Sequence, residues 1–318
     1  MHLRVHHLQR RGAYCRLITG SHNAVITWGR ILRISLLPTA LADICAGFAL
    51  GALSNGELRI ELLLFVSSAC IYHGSMALND WADREEDKAQ RPDRPLARGL
   101  VQPNQVLSAA AALISLGVAL AAILSIPLGA WMAGIASLAV GYNIWLRGRL
   151  SGPLSLGVCR GMHLAAPIML VAPDTASDHA PLLIGYGLYV FTLSSLARIE
   201  AAPTAELKQT PRTLLFAIAA AFAVPLMWAS AELDLIRRLF VTVLAAGGAL
   251  TLVKTTRPPG PWTPDRVQRC VGVALRLLLV YTAAAALTGL SPYAWFAALL
   301  ILAGYPLAHG LRKVFPPT

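Results

Sequence analysis

Apolar stretches long enough to cross a bilayer recur from residue 31 almost to the end of the chain. They lie at 31–53, 60–80, 105–125, 128–146, 153–172, 181–199, 212–230, 235–253, 267–289 and 292–311. About 20 residues of helix span the hydrocarbon layer. Backbone polar groups find no water there, so each stretch is expected to be near-continuous helix. Segments rich in Pro, Gly and charge separate them, among them SNGELR, RGRLSGP, APDTASDHAP, EAAPTAELKQTPR, SAELD and KTTRPPGPWTPDR. The pattern predicts an all-α, polytopic transmembrane helix bundle of nine to ten spans, nine if one piece is re-entrant. It divides the chain into a tail, residues 1–29, and a membrane domain, residues 30–318. No heptad or solenoid repeat interrupts this order.

Composition agrees with the pattern. The 318 residues are 56% hydrophobic and 14% charged, where a soluble domain carries about a quarter charged residues. The net charge of +11 suggests nucleic acid only until the loops are sorted. Arg4, Arg10, Arg11, Arg16, then Arg84 to Arg98, Arg147 and Arg149, Lys208 and Arg212, Lys254 to Arg269, and Arg312 with Lys313 fall on alternate loops. The 172–181 loop, on the other side, has two acids and no Lys or Arg. The excess of cations therefore marks cytoplasmic loops and places both termini on that side of an inner or equivalent membrane. The tail lacks the apolar core and cleavage site of a signal peptide. It reads as a basic cytoplasmic segment beside anionic lipid, or as the product of a start codon placed too early. Five scattered cysteines with no CxxC pair read as apolar packing residues rather than disulfides or a zinc site.

One connector carries more charge than a connector needs. LNDWADREEDKAQRPDRPLARG, residues 78–99, gathers six of the sixteen carboxylates directly behind an apolar span. On a helix, Asp80, Asp83 and Asp87 fall within an arc of ~60°, with Asn79 one step round. Three like charges this close repel, and the membrane boundary raises the cost. Arg84 and Lys88 are near enough to offset part of it. An oxygen-only ligand set favours a hard cation, Mg2+ rather than zinc, which leaves coordination sites for substrate phosphate. Arg91 and Arg94, presented by two prolines, suit phosphate oxygens. Metal and arginine beside an apolar cavity match a lipid-tailed diphosphate. The plainer alternative is a solvated loop whose mixed charges anchor the span.

Asn79-Asp80-x-x-Asp83-x-x-x-Asp87 followed by Arg-Pro-x-Arg-Pro-Leu resembles the first aspartate-rich motif of the UbiA superfamily of intramembrane prenyltransferases. That family's helical bundle carries the motif after its second helix, as here. Tyr142 and Arg147 in GYNIWLRGR resemble the aromatic-plus-basic end of the family's fourth helix, with Arg147-Gly148-Arg149 where a Lys-Arg pair is usual. The resemblance implies that Asp80, Asp83 and Asp87 hold Mg2+ against an isoprenyl diphosphate, with Asn79 orienting a ligand oxygen. It implies that Arg94, with Arg91 and Arg147, takes up charge on the leaving pyrophosphate. A small aromatic or alcohol acceptor then attacks the allylic cation, with electrostatic stabilisation as the main catalytic contribution.

The family's second aspartate motif, after helix 6, falls here on SSLARIEAAPTAELKQTPR, which contains no Asp. Glu200 and Glu206 stand ~120° apart on a straight helix, and Pro203 disfavours helix at Ala202. Arg198 and Glu200 do not share a face, so Arg198 is expected to turn to phosphate, and Glu200 to a metal or to an arginine. The Ser-Leu-Ala-Arg-Ile-Glu ending resembles divergent relatives of the EboC type, which implies an unusual substrate or a reduced metal site.

Deeper in the spans, Asp43 is expected to line an acceptor pocket or to pair with an arginine. His73 either meets an acceptor or packs. Arg160 and His163, placed in the first turns of span 5, are expected to join the polar cavity, and Arg276 to snorkel to the interface. Trp81, Trp145, Trp262 and Tyr293 read as interface anchors. The expected function is Mg2+-dependent prenyl transfer from a prenyl diphosphate to a small acceptor amid membrane lipid, with no nucleic-acid partner and no protein partner legible. A transporter-like or lipid-binding protein of the same fold is the alternative. CDP-alcohol phosphotransfer is disfavoured, because its Asp-Gly-x-x-Ala-Arg signature is absent.

Overall fold

A computed structural model describes residues 24–51, 58–199, 210–229, 232–258 and 260–315. Every regular element among them is helical. In chain order these are α1 (Ala24–Ile31), a 3-10 turn (Ile34–Leu36), α2 (Leu37–Leu50), α3 (Leu58–Ala82), α4 (Arg84–Gln90), α5 (Pro103–Leu124), α6 (Ile126–Ile144) and α7 (Ser151–Val171). After a second 3-10 turn follow α8 (Ala180–Ile199), α9 (Thr210–Ala221), α10 (Ala223–Trp228), α11 (Leu235–Thr256), α12 (Pro264–Thr288) and α13 (Ala294–Val314).

Nearly every expected stretch is a helix within three residues of its expected ends. Among the described residues eight helices are long and apolar enough to cross a membrane, or nine if the bent pair Ala24–Ile31 and Ile34–Leu50 is one span. The tenth expected stretch is α6, 19 residues long. It falls outside that count, having Tyr142 and Asn143 at its polar end.

The first span departs from expectation. It begins earlier, and its two parts meet at 53°. At the bend Arg33 adopts φ 51° and ψ 48°, the sole positive φ of a non-glycine residue among those described. A left-handed residue costs roughly 1–2 kcal/mol, so its contacts must hold it there. The seventh span also breaks, at Phe222. Pro225 follows three residues later and has no N–H to continue the backbone ladder.

Small residues set the helix spacing. A Cβ on Gly117 would stand 2.7 Å from the Ser67 carbonyl, and one on Gly74 would stand 3.0 Å from that of Ala110. The backbones of α3 and α5 therefore touch, as close helix pairs in membranes do, and Ser67 Oγ donates to the Gly117 carbonyl at 2.7 Å. Gly157 and Gly187 do the same for α7 and α8. The main apolar core gathers on α12, where Tyr281 packs its ring on Tyr186, Tyr189 and Phe222 with centroids 5.4–5.5 Å apart. The carboxylate motif at the end of α3 is thus carried on a rigidly packed pair of helices.

Candidate active site

A cavity of about 770 Å³ opens among the helices. The C-terminal ends of α3, α6, α8 and α13 contribute Asn79, Tyr142, Arg198 and Arg312 to its rim, and Asp83, Glu86, Arg91, Arg94 and Arg147 line it nearby. Leu156, Val190, Leu193, Leu275 and Leu278 form apolar wall beyond. A smaller cavity of about 210 Å³ shares Arg33, Tyr72, Asn79, Tyr142 and Arg160 with it and reaches His163.

The acidic motif is not one straight helix. α3 ends at Ala82, and Asp83 is the residue before α4. The i, i+4 backbone bonds nevertheless run on from Asp83 N to Asn79 O and from Asp87 N to Asp83 O. The break divides the expected stripe. Asp80 and Asp87 are buried together, 1% and 4% exposed, while Asp83 faces the cavity.

The neutralising cations also differ from those expected. Arg84 and Lys88 both pair with Glu85 instead, and the Lys88 hydrogen bond holds that exposed carboxyl below the usual glutamate range. Asp80 receives Arg33 at 3.0 Å and Arg94 at 3.6 Å. Arg94 also reaches Asp87 at 2.6 Å, and Arg147 pairs with Asp83. Asn79 links the set, accepting from Arg33 at 3.1 Å and donating to Asp83 at 3.0 Å. The charge clash inferred from sequence is real, but its compensation comes from other helices.

Of the remaining expected residues, Arg91, Tyr142 and Arg198 line the same cavity. Arg198 donates to the Arg147 carbonyl, across Gly152, where a Cβ would meet its guanidinium. Glu200 and Glu206 lie outside the described residues. Asp43 takes the arginine alternative. Fully buried, it receives Arg160 at 3.1 Å, His163 Nδ1 at 2.9 Å and the Tyr186 hydroxyl at 2.6 Å. His163 Nε2 meets Ser68 at 2.7 Å, so this knot joins α2, α3, α7 and α8. Arg160 and His163 lie mid-helix in α7 rather than in its first turns, and Arg160 lines both cavities. His73 packs, with Nδ1 2.6 Å from the Leu32 carbonyl.

Arg276 does not snorkel outward; it lines the cavity. Trp145 and Tyr293 are exposed as anchors should be, but Trp262 is buried beneath the Arg266 guanidinium, 3.9 Å from its ring centre. Sequence reasoning missed Arg33. Its signal was a charge three residues inside an apolar stretch, a position that is costly without a partner.

The acids suit a hard cation by chemistry more than by present arrangement. Among the described residues no three Asp, Glu, His or Cys side chains form a ready metal cage. Asp80 Oδ2, however, is buried with no hydrogen-bond partner, and Asn79 and Asp83 line the cavity. Magnesium keeps several waters and takes as few as one or two carboxylates, so this donor set fits it.

Comparison with known proteins places this geometry in context. The profile of the UbiA prenyltransferase family matches residues 36–316. The chain is 27% identical over 264 residues to digeranylgeranylglyceryl phosphate synthase of Methanopyrus kandleri, covering 74% of this chain and 93% of that one. Its fold resembles that of a UbiA homologue from Archaeoglobus fulgidus bound to DMAPP and Mg2+, with TM-score 0.56, 18% identity, and 81% and 98% of the two chains covered. The apo UbiA homologue from Aeropyrum pernix K1 superposes with TM-score 0.59 at 18% identity, over 80% and 97% of the chains.

Proposed function

The chain belongs to the UbiA prenyltransferase family, and from that premise we propose that it transfers an isoprenyl group from a prenyl diphosphate to a small acceptor within the membrane. One observation carries this reading. The Asn79–Asp83 edge and Arg91, Arg94 and Arg147 share a single cavity with an apolar wall of leucine and valine. A diphosphate head and an isoprenoid tail need these two surfaces side by side.

Asp80, Asp83 and Asn79 would hold Mg2+, with Asp87 steadying Arg94 behind them. The ion supplies charge neutralisation at diphosphate oxygens. The arginines do the rest of the electrostatic work. Arg147 and Arg33, each paired with a carboxylate of the motif, would be the guanidinium partners of the phosphate oxygens. Arg91 faces the cavity with no carboxylate partner among the described residues. The allylic C–O bond breaks, both bonding electrons leave with pyrophosphate, and fixed guanidinium groups bind that charge without reorganising. The acceptor forms the new bond to the allylic carbon and releases one proton. The apolar wall excludes water, which would otherwise capture the cation.

Similarity to a synthase of a glyceryl phosphate compound supports an alcohol over an aromatic ring as acceptor. The sorting of loop charge supports a cytoplasmic position for this end of the bundle.

The test uses the full chain in phosphatidylcholine nanodiscs, with geranyl diphosphate as donor. We expect binding that requires Mg2+ and is abolished by EDTA, and that weakens by an order of magnitude or more in Asp83→Asn. Pyrophosphate release should then follow from a panel of alcohol and aromatic acceptors. Failure of every prenyl diphosphate to bind in a Mg2+-dependent way would refute the proposal.

A further inference from the structure

The smaller cavity branches from the larger one. The two share Arg33, Asn79, Tyr142 and Arg160, and the branch runs on between α3, α6 and α7 to Ile71, Ile135 and His163. Asn79 and Ile71 stand eight helical residues apart on α3, so the branch is about 12 Å deep.

Its buried polar side chains are Ser75, Asn143 and His163, and two of them are spent. Ser75 Oγ donates to the Ile71 carbonyl at 2.7 Å. His163 has Asp43 on Nδ1 and Ser68 on Nε2. Asn143 differs. Its Nδ2 donates to the Ser75 carbonyl at 3.2 Å, while its Oδ1 is buried with no hydrogen-bond partner among the described residues. The two ends of the amide cannot be exchanged, because only the nitrogen can face a carbonyl. The group left over is therefore an acceptor, on a residue 3% exposed. A buried carbonyl without a donor is costly, and native proteins keep few of them without a reason.

The missing donor narrows the ligand. An isoprenoid tail has no O–H or N–H to give. A hydroxyl has one, and Met76, Ile135, Ala139 and Leu156 along the same branch offer apolar surface to the carbon that bears it. Depth narrows the position as well. Ser75, which holds the Asn143 amide, lies one turn, about 6 Å, deeper on α3 than Asn79.

Resting on the donor reading above, we propose that Asn143 Oδ1 accepts the hydrogen bond of the acceptor's nucleophilic hydroxyl, and that the smaller cavity holds the end of the acceptor that carries it. With the diphosphate at the Asn79–Asp83 edge, one turn deeper is the level of the allylic carbon. An amide carbonyl takes no proton near neutral pH, so Asn143 orients the nucleophile and is not its base. An acceptor of the same shape without the hydroxyl would strand the carbonyl and be rejected.

The test uses the full chain in phosphatidylcholine nanodiscs and two small probes, 4-fluorobenzyl alcohol and 4-fluorotoluene, which differ by the hydroxyl. Fluorine NMR relaxation, corrected for empty discs, reads their binding. The alcohol should bind at least about tenfold more tightly than the toluene, and should stay bound when geranyl diphosphate and Mg2+ are added. Mass spectrometry of that mixture should show 4-fluorobenzyl geranyl ether. Asn143→Leu should remove most of the alcohol's advantage and lower ether formation at least about tenfold, while geranyl diphosphate binds as in the wild type. Asn143→Gln, which keeps a carbonyl, should retain part of both. Because Asn143→Leu also removes a stranded carbonyl, its ligand-free melting temperature should fall by no more than about 2 °C.

Equal binding of the two probes, or an undiminished preference in Asn143→Leu, would overturn the proposal. So would displacement of the alcohol by geranyl diphosphate, which would assign the branch to the donor's tail, and so would bound alcohol and donor that form no ether. A loss of stability with both probes weakened alike would mark Asn143 as a packing residue and overturn it too. A wild-type protein that binds the alcohol through Asn143 but no prenyl diphosphate would refute the donor reading and leave the hydroxyl site standing.

Discussion

Replacing Arg94 by methionine tests the carboxylate wall most directly. Arg94 is 4% exposed, reaches Asp87 at 2.6 Å and stands 3.6 Å from Asp80. Asp80 keeps Arg33 when Arg94 is lost. Asp87, 4% exposed, keeps no other ion pair among the described residues. Methionine preserves most of the volume, so the loss is chiefly electrostatic. Breaking a buried pair by removing one partner costs about 3–5 kcal/mol, and one stranded carboxylate argues for the lower figure. With roughly 2–4 °C per kcal/mol in chains approaching this size, the melting temperature should fall by about 6–12 °C. Thermal unfolding in detergent micelles, followed by tryptophan fluorescence, reads this. Asp87→Asn should be milder, and Arg94→Met/Asp87→Asn should recover about half of the loss, a coupling of order 1–2 kcal/mol in a double-mutant cycle. A shift below about 2 °C for Arg94→Met would refute the view that the wall is held by this pair, since it would amount to less than about 1 kcal/mol. So would a double variant no better than the single one.

Gly117→Leu should cost more than the roughly 1–3 kcal/mol usual for overpacking, because its Cβ meets not only the Ile71 side chain but also the Ser67 carbonyl at 2.7 Å, backbone that cannot step aside; thermal unfolding should rank it well below Gly117→Ala. Gly152→Ala should lower the melting temperature only slightly, since the closest obstructed group is the flexible end of Arg198 and the Leu146 carbonyl, at 3.1 Å, need give only a few tenths of an ångström. The displaced Arg198 should still weaken geranyl diphosphate severalfold, measured in nanodiscs. His179, in the connector before α8, has its pKa held below the usual histidine value by burial, against the opposing pull of Asp178 and a bond to the Leu50 backbone. A depressed histidine pKa means that its contribution is complete above the unfolded value of about 6.5 and is lost as pH falls through the folded one. The wild type should therefore lose more stability than His179→Asn between pH 7.5 and 5.5, which parallel melting curves would show.

The elements and half of the site were legible in the sequence, and the division has a physical reason. Helices could be placed to within a few residues because each apolar run is judged against its own neighbours along the chain. The Asn79–Asp87 motif was legible for the same reason: acids and arginines stand together in one short stretch. Arg33 was legible only as a charge in an odd place, and Arg147 only through the resemblance of GYNIWLRGR to the family's fourth-helix end. They reach Asp80 and Asp83 from 47 and 64 residues away, through a left-handed bend at Arg33 that no propensity predicts. Local spacing instead favoured Arg84 and Lys88, which the turn at Asp83 swings onto Glu85.

A charge inside an apolar span does state that it needs a partner, although not which one. Asp43, Arg160 and Arg276 lie deepest in their stretches, and one acid cannot satisfy two arginines. The structure gives Asp43 to Arg160 and leaves Arg276 facing the cavity beside Arg312. That odd charge was already countable in the sequence. Its meaning required the fold, because only the crossing of α12 and α13 shows that the unmatched arginine points at space a ligand can fill and not at lipid.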